Sequence, residues 1–402
     1  MQQNNEISLK YLFFTFLKIG SISWGGFMAL ISVVQKEFVD KSKIVKDEII
    51  LDGISLASVL PGPVAFNVVA YLGYHLRGFK GALVSMFAII LPSFLLILAL
   101  AYIYSTYGQI PAFSQFFLGV LPAISAVIVS VAANMGQKQI KDYKQVIMFV
   151  LSGLILIFIH SFFATLGLIL ISSVAGYLLY NNKGNASKSE PATFPVFNLR
   201  KLLLFSVFIL ALVLGFLLMP LLFNGQSVDK ARLLQQIAFT FSGLSLTLFG
   251  GGYVIIPTMQ QVIVDGLQWL NVKEFADAIA MGQITPGPIL ISATFIGFKI
   301  AGILGAVIAT VAIFFPPGLL MLFCSRFLDQ IKNSGVIIAV FKGLRPAIIG
   351  MIFSSAFTIL KGVDIGWPTV LIFILVLVLS IRYKINVAYL IPASGVAGIL
   401  FF

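Results

Sequence analysis

The sequence predicts an all-α polytopic membrane protein with two inverted-topology repeats, about 13 membrane crossings, and a helix broken at Pro-Gly-Pro in each repeat. Two observations predict this fold class. Hydrophobic residues make up 59% of the 402 positions and charged residues 10%, with a mean hydropathy of +1.06, whereas soluble domains carry roughly 25% charged residues. In addition, Pro61-Gly62-Pro63 recurs 225 positions later as Pro286-Gly287-Pro288.

Long apolar runs supply the membrane-crossing helices. Each of the following is close to the roughly 20 residues that a helix needs to cross the hydrocarbon layer: residues 81–104, 117–135, 202–223, 303–324 and 336–360. The polar start of the chain and Lys18 in the first apolar run indicate no removable signal peptide. Cys324 is the only cysteine, which excludes an internal disulfide and a cysteine-based metal cluster.

The duplication extends well beyond the tripeptide. The matching pairs are Gly25-Gly26 with Gly250-Gly251, Asp52 with Asp277, Gly73 with Gly297, Gly78 with Gly302, Gly81 with Gly305, and Pro92 with Pro316. The polar stretch 181–201 reads as a loop between the halves. We therefore predict an N-terminal transmembrane repeat at 1–180, a cytoplasmic linker at 181–201 and a C-terminal transmembrane repeat at 202–402.

Charge placement bears on the direction of the repeats. If the Pro-Gly-Pro segments 49–76 and 276–299 each cross the membrane once, most Lys and Arg residues fall on the cytoplasmic side, as the positive-inside rule requires. Lys41 and Lys299 are then outside and Lys273 is inside. An odd number of crossings in each repeat makes the repeats inverted.

A second arrangement remains open. If the same two segments enter and leave on one side as re-entrant hairpins, the repeats run parallel. Arg77, Lys80 and the 35–48 loop then share a side of the membrane. The charge distribution favours the inverted arrangement.

The breaks predict an anion site. A helix that starts at Pro63 or Pro288 leaves its first N–H groups unpaired and directs its positive dipole end into the membrane. Two such ends could share one tetrahedral oxyanion. The alternative is that both breaks are only kinks in packed helices. The candidate binding residues are Gly25, Gly26, Pro61, Gly62, Pro63, Asn67, Gly250, Gly251, Gln283, Thr285, Pro286, Gly287, Pro288 and Ser292.

Cations within apolar segments are further candidates. Lys18 precedes Gly25-Gly26 by about two turns, whereas Lys342 and Arg345 share one helical face. A charge inside the membrane usually faces a cavity or a partner. The alternative is that these side chains snorkel to the membrane surface.

Asp52 and Asp277 each lie nine residues before their Pro-Gly-Pro. One interpretation makes them proton carriers or salt-bridge partners that couple transport to a second ion. The other, which we favour, has them complement the dipole in the first turn of a half-helix, as Glu48 and Glu274 also would. His75 and His160 form no cluster with metal-ligand spacing, so no metal or other cofactor is expected.

The chain resembles the chromate ion transporter family in its long, two-repeat form. The similarity covers nearly the whole chain, and it rests on Trp24-Gly25-Gly26, Leu60 to Val64, Leu91 to Phe94, Phe249 to Tyr253 and Gly282 to Pro288. The resemblance implies a bacterial plasma-membrane protein that exports chromate, with sulfate as a similar oxyanion. Where that family has Gly-Gly-Pro in the first repeat, this chain has Gly25-Gly26-Phe27.

We therefore predict a secondary transporter that exports chromate, or a similar divalent tetrahedral oxyanion, by alternating access. Uptake or exchange of sulfate or another small anion is the alternative within transport, and an anion channel is the alternative in another class. No nucleophile or acid/base pair recurs at a spacing that supports an enzyme. The expected surroundings are the lipid bilayer and the oxyanion, without nucleic acid. The sequence leaves the oligomeric state open, a homodimer included.

Overall fold

The computed structural model describes residues 7–23, 27–107, 111–159, 162–180, 226–248, 252, 255–325, 335–360 and 365–402. This part of the chain is helical nearly throughout and contains no β-strand. Its α-helices, numbered in chain order, are α1 (Leu9–Ile22), α2 (Phe27–Gln35), α3 (Asp47–Ala57), α4 (Val64–Tyr107), α5 (Pro111–Gln139), α6 (Tyr143–Phe158), α7 (Phe162–Tyr180), α8 (Gln226–Leu246), α9 (Ile255–Gln260), α10 (Val272–Ile284), α11 (Ser292–Cys324), α12 (Gly335–Leu360), α13 (Trp367–Ile381) and α14 (Val387–Phe401).

Four stretches of the described chain are long and apolar enough to cross a membrane. They are Val64–Tyr107, Gln115–Gln137, Ile289–Cys324 and Ile338–Phe357. The runs predicted at 81–104, 117–135, 303–324 and 336–360 are thus confirmed as helical, whereas 202–223 and the linker 181–201 lie outside the described residues. The predicted all-α class is confirmed for the described part of the chain.

The two halves repeat irregularities of the backbone as well as residue types. The π-helical turn Lys36–Lys41 continues α2, and Gln261–Gly266 continues α9 at positions 225 residues later. Gly78 has φ 58° and ψ −153°, and its counterpart Gly302 has φ 63° and ψ −150°. Only glycine adopts this region without large strain. The duplication read from the sequence is therefore present in the fold.

Helices α4 and α11 fold back on themselves at these two glycines. The Oγ1 atoms of Thr294 and Thr310 are 2.7 Å apart across the turn, although a straight helix would separate the two residues by about 24 Å. In α4, a Cβ added to Gly81 would lie 2.3 Å from the carbonyl oxygen of Gly73. Each helix therefore has a short arm before its glycine and a long arm after it.

The two Pro-Gly-Pro segments also double back. The ammonium group of Lys299, near the end of the α11 short arm, lies 3.0 Å from the carboxylate of Glu274 in the first turn of α10. In the first half, a Cβ added to Gly53 of α3 would lie 2.8 Å from the ring of Tyr71 in the α4 short arm. The helices on either side of each break therefore run side by side and antiparallel.

The predicted single crossing of each Pro-Gly-Pro segment is therefore wrong, and the re-entrant alternative describes the geometry. If the segment crossed the membrane once as a broken helix, Glu274 and Lys299 would lie at its opposite ends and could not form their ion pair. That ion pair also places Lys273 and Lys299 at the same end of the hairpin, contrary to the predicted opposite sides. The count of about 13 crossings included both single crossings, so it is not supported.

The hairpins of the two halves open at opposite ends of α4. The base of the first hairpin, at Arg77 and Gly78, adjoins the start of the α4 long arm. The base of the second hairpin reaches the far end of the same arm, where the Lys299 ammonium lies 5.7 Å from the ring centroid of Tyr104. These ends are about 40 Å apart along a helix of this length. Consequently the Pro-Gly-Pro tips of both hairpins point toward the middle of the α4 long arm.

Candidate functional site

Chain breaks from both halves meet at the tips of the hairpins. The Gly62 N–H donates a 2.7 Å hydrogen bond to the carbonyl oxygen of Leu248, and the Gly287 N–H donates a 2.9 Å bond to that of Ser23. Both donors and both acceptors are related by the repeat offset of 225. Each Pro-Gly-Pro is thus joined to the break that ends the first helix of the other half. This pair of exchanged bonds defines what we call the central crossing.

The central glycines bring the backbone into close contact with the long arms. Gly62 and Gly287 have φ values of 104° and 106°, which disfavour any other residue. A Cβ on Gly62 would lie 2.2 Å from Pro317, and a Cβ on Gly287 would lie 2.6 Å from the Ser93 hydroxyl oxygen. Ser93 also donates a hydrogen bond to the Pro286 carbonyl. One half thus presents a hydroxyl where the other presents a proline ring.

Asn67 and Ser292 occupy equivalent positions one turn past the two breaks. Their side chains are 0% and 1% exposed. The Asn67 amide donates a 3.0 Å hydrogen bond to the Pro61 carbonyl. Asn67 Oδ1 and Ser292 Oγ have no hydrogen-bond partner among the residues that the structure describes. Buried polar atoms normally have partners. Asn67 Oδ1 can only accept a hydrogen bond, from water or another donor, whereas the Ser292 hydroxyl can also donate one to an anion.

The walls of the crossing are buried and differ in detail between the halves. The α4 short arm begins directly after Pro63, and its residues Val64 to Leu72 are buried. In the second half a 3-10 turn, Ile289–Ile291, precedes α11, and the Ile291 N–H donates to the Pro288 carbonyl. Irregular backbone at membrane depth is tolerated when it is buried in protein, as it is here. Both helices direct their positive ends toward the crossing.

A second polar cluster connects the halves at the base of the second hairpin. Asp277 is 1% exposed, and its Oδ2 accepts a 2.7 Å hydrogen bond from the Tyr104 hydroxyl of the α4 long arm. Its Oδ1 has no hydrogen-bond partner within the described ranges. Glu274 and Lys299 form the ion pair described above, and each side chain is 27% exposed. The cluster therefore extends from a partly exposed ion pair to a buried carboxyl group.

Glu274 and Asp277 were both predicted to complement the dipole at the start of a helix, and the structure places only Glu274 in the first turn. Glu274 forms a capping box with Asn271, so its predicted place in the first turn is confirmed. Asp277 is the sixth residue of α10 and lies beyond the first turn, so the favoured dipole interpretation does not describe it. Asp52 is also the sixth residue of its helix, α3, and is half-buried. Only one acid of the equivalent pair is thus fully enclosed.

The three predicted cations do not join this arrangement. Lys18, Lys342 and Arg345 are all exposed. The Lys342 ammonium lies 5.7 Å from the ring centroid of Tyr180, the last residue of α7, and the Arg345 guanidinium lies 5.6 Å from that of Phe341. No contact in the described part of the chain connects these cations with the central crossing. The position of Lys342 beside a helix end is the one expected of a snorkelling side chain.

Some of the other predicted residues lie near the crossing, and the rest lie outside the described residues. Thr285 is buried and its hydroxyl donates to the Gly282 carbonyl at 3.1 Å, while Gln283 is half-buried. Gly25, Gly26, Gly250 and Gly251 lie outside the described residues.

Four participants at these two sites were not predicted from the sequence. Ser23 and Leu248 act through backbone carbonyls, which carry no signal of residue type. Ser93 had an available signal, because it follows a proline that recurs within a long apolar run of each half. Tyr104 had none, since its partner Asp277 lies 173 positions away. Among the described residues, no three His, Cys, Asp or Glu side chains are grouped to hold a metal ion.

Comparison with known proteins identifies the family. The sequence profile described as chromate transporter matches residues 10–177 and 235–399, which spans both halves. An uncharacterized transporter of Methanocaldococcus jannaschii is 30% identical over 100% of this chain and 96% of its own length. A probable chromate transport protein of Synechococcus elongatus is 30% identical over 98% of this chain and 96% of its length.

A more distant relative points the same way. The chromate transport protein of Cupriavidus metallidurans is 27% identical over 94% of this chain and 89% of its own length. No solved structure matches the chain. Since the profile match and the full-length relatives agree, the chain belongs to the chromate transporter family, a family of membrane transporters.

Proposed function

We propose that this protein is a secondary transporter that exports chromate, or a similar divalent tetrahedral oxyanion, across the bacterial plasma membrane by alternating access. It acts as a transporter and not as an enzyme. Family membership and the names of two full-length relatives support the substrate class. The central crossing, where the exchanged Gly62 and Gly287 hydrogen bonds join the halves, is the observation that carries the proposal.

The oxyanion binds at this crossing, between the helix starts after Pro63 and Pro288. The second amide N–H of Asn67, the hydroxyl of Ser292 and the N–H groups that directly follow Pro63 and Pro288 are its donors. Two positive helix ends attract an anion without the cost of burying a full cation. The buried positions of Asn67 and Ser292 support this assignment.

The two halves have inverted topology, although each Pro-Gly-Pro lies at the tip of a re-entrant hairpin. The parallel repeats that the sequence predicts for re-entrant segments would place both hairpin bases at the same end of α4. The hairpin bases at opposite ends of α4 support inversion. Tips that enter from both sides and meet in the middle give one site two symmetric access routes. Alternating access then needs only that the exchanged contacts loosen on one side at a time.

This arrangement predicts the sidedness of three lysine positions. In a Cys324→Ser background, cysteines replacing Lys41 and Lys80 should react with an impermeant reagent from the same side of the membrane. A cysteine replacing Lys299 should react from the opposite side. Sealed vesicles of known orientation provide the measurement. Labelling of positions 80 and 299 from one side would contradict inversion.

Asp277 couples oxyanion movement to protons. It is the more enclosed of the two equivalent acids, and its hydrogen bond to Tyr104 joins α10 to the long arm of the other half. The Glu274–Lys299 pair provides a polar route from the surface to this carboxyl group. A carboxyl group in such a position is able to gain and lose a proton as the halves move.

The proposal is tested by flux in proteoliposomes. Purified protein should take up labelled chromate saturably, should exchange internal for external chromate at equal pH, and should respond to an imposed proton gradient. If the protein transports sulfate in preference to chromate, the proposed substrate changes but the proposed mechanism does not. Single-channel currents without saturation would replace the transporter with an anion channel. Absence of flux for both anions would overturn the proposed function.

A further inference from the structure

A cleft of about 270 Å³ at the base of the first hairpin carries two cations. It is lined by Leu9, Leu76, Arg77 and Lys80. Leu9 begins α1, and the other three residues surround the Gly78 turn between the arms of α4. The cleft therefore lies at the end of a membrane-length helix, about 20 Å or more from the central crossing along the short arm.

The fold itself does not require these cations. At the repeat offset of 224, Ala301 stands in place of Arg77 and Leu304 in place of Lys80. The backbone at the two turns is nearly identical, with φ −146° at Arg77 and −141° at Ala301. Because the second half makes the same turn with uncharged residues at both of these positions, the turn itself does not need Arg77 and Lys80.

The surroundings identify the kind of ligand. Phe79, which lies between the Gly78 turn and Lys80 in the sequence, is 50% exposed, and aromatic side chains of this kind are enriched where membrane meets water. Lys80 is exposed and forms no ion pair within the described residues, whereas Lys299 at the other hairpin base is bound to Glu274. A cation without an ion pair, at the end of a membrane-length helix, suits a phosphate attached to acyl chains.

We propose that this cleft binds the headgroup phosphate of an anionic phospholipid. Lys80 contributes a point charge to the phosphate, and the Arg77 guanidinium adds a second positive charge to the lining of the cleft. Leu9 and Leu76 contact the glycerol and the first acyl carbons. The lipid would hold the start of α1 against the turn of α4, since both contribute to the cleft.

The test uses a double variant that copies the second half. Arg77→Ala combined with Lys80→Leu should bind phosphatidylglycerol at least about tenfold more weakly than the natural protein in native mass spectrometry. Lys41→Leu, which removes another exposed lysine, one that pairs with Glu37 away from the cleft, should bind as the natural protein does. Thermal unfolding in detergent without lipid shows whether the double variant is folded. If it is not, each single substitution is measured instead.

Three outcomes would overturn the proposal. The first is equal phosphatidylglycerol binding by the double variant and the natural protein. The second is equal binding of phosphatidylglycerol and phosphatidylcholine, because the charge would then be irrelevant. The third is displacement of the lipid by free phosphate or chromate at millimolar concentration, which would make the cleft a site for soluble oxyanions. None of these outcomes depends on whether the protein transports chromate.

Discussion

Ser292→Asp and Asn67→Asp should each abolish chromate transport while leaving the protein folded and inserted. Both positions are buried one turn past a Pro-Gly-Pro break. A carboxylate there repels a divalent anion by several kcal/mol in a site of intermediate dielectric. Since 1.4 kcal/mol corresponds to a tenfold change, affinity should fall at least about a hundredfold. Flux and chromate binding at alkaline pH provide the measurement.

Matched variants separate charge from size and from hydrogen bonding. The asparagine side chain has nearly the same shape as that of aspartate but carries no charge. Ser292→Asn should therefore retain far more transport than Ser292→Asp. Asn67→Ser installs the residue found at the equivalent position of the other half and loses the bond to Pro61, as Asn67→Asp also does. Near-natural flux in both aspartate variants would show that the breaks serve packing and that the oxyanion binds elsewhere.

The sequence located the breaks but not the direction of the chain after them. Proline and glycine report that a helix must end, because they act on the local backbone. The angle between the two helices depends on contacts such as Glu274 with Lys299, which are 25 positions apart. In a nearly uniform apolar sequence, no hydrophobic face distinguishes a re-entrant arm from half of a straight span. The single-crossing prediction failed for this reason.

The same limit applies to the candidate site. Asn67 and Ser292 could be predicted because they follow a recognisable break at a fixed offset, and both are buried beside it. Lys18, Lys342 and Arg345 were chosen for being charged within apolar runs, yet all three are exposed. Which side of a helix faces the protein is set by neighbouring helices, and α12, which carries Lys342 and Arg345, is apolar around most of its circumference. The exchanged backbone bonds to Ser23 and Leu248 carry no sequence signal at all.

Asp277→Asn should remove the response of chromate flux to a proton gradient without removing transport. Asparagine keeps an oxygen that can accept the Tyr104 hydrogen bond, so the contact between the halves is preserved. It removes the carboxyl group of this pair, which ionises far more readily than the tyrosine hydroxyl does. Gradient-driven flux should fall at least about tenfold, one decade for each 1.4 kcal/mol of lost coupling. Exchange of internal for external chromate at equal pH should continue, because it needs no net proton movement.

Asp52→Asn is the matched control, since Asp52 occupies the equivalent position in the first half but is only half-buried. That variant should keep the gradient response. An infrared titration adds a reading that needs no substrate: the difference between the spectra of the natural protein and Asp277→Asn should contain the carbonyl stretch of one carboxyl group that becomes protonated on acidification. Full gradient response in Asp277→Asn, or a difference spectrum without that band, would assign the Asp277–Tyr104 pair a purely structural role. If the natural protein itself shows no chromate exchange at equal pH, the result would instead count against chromate transport.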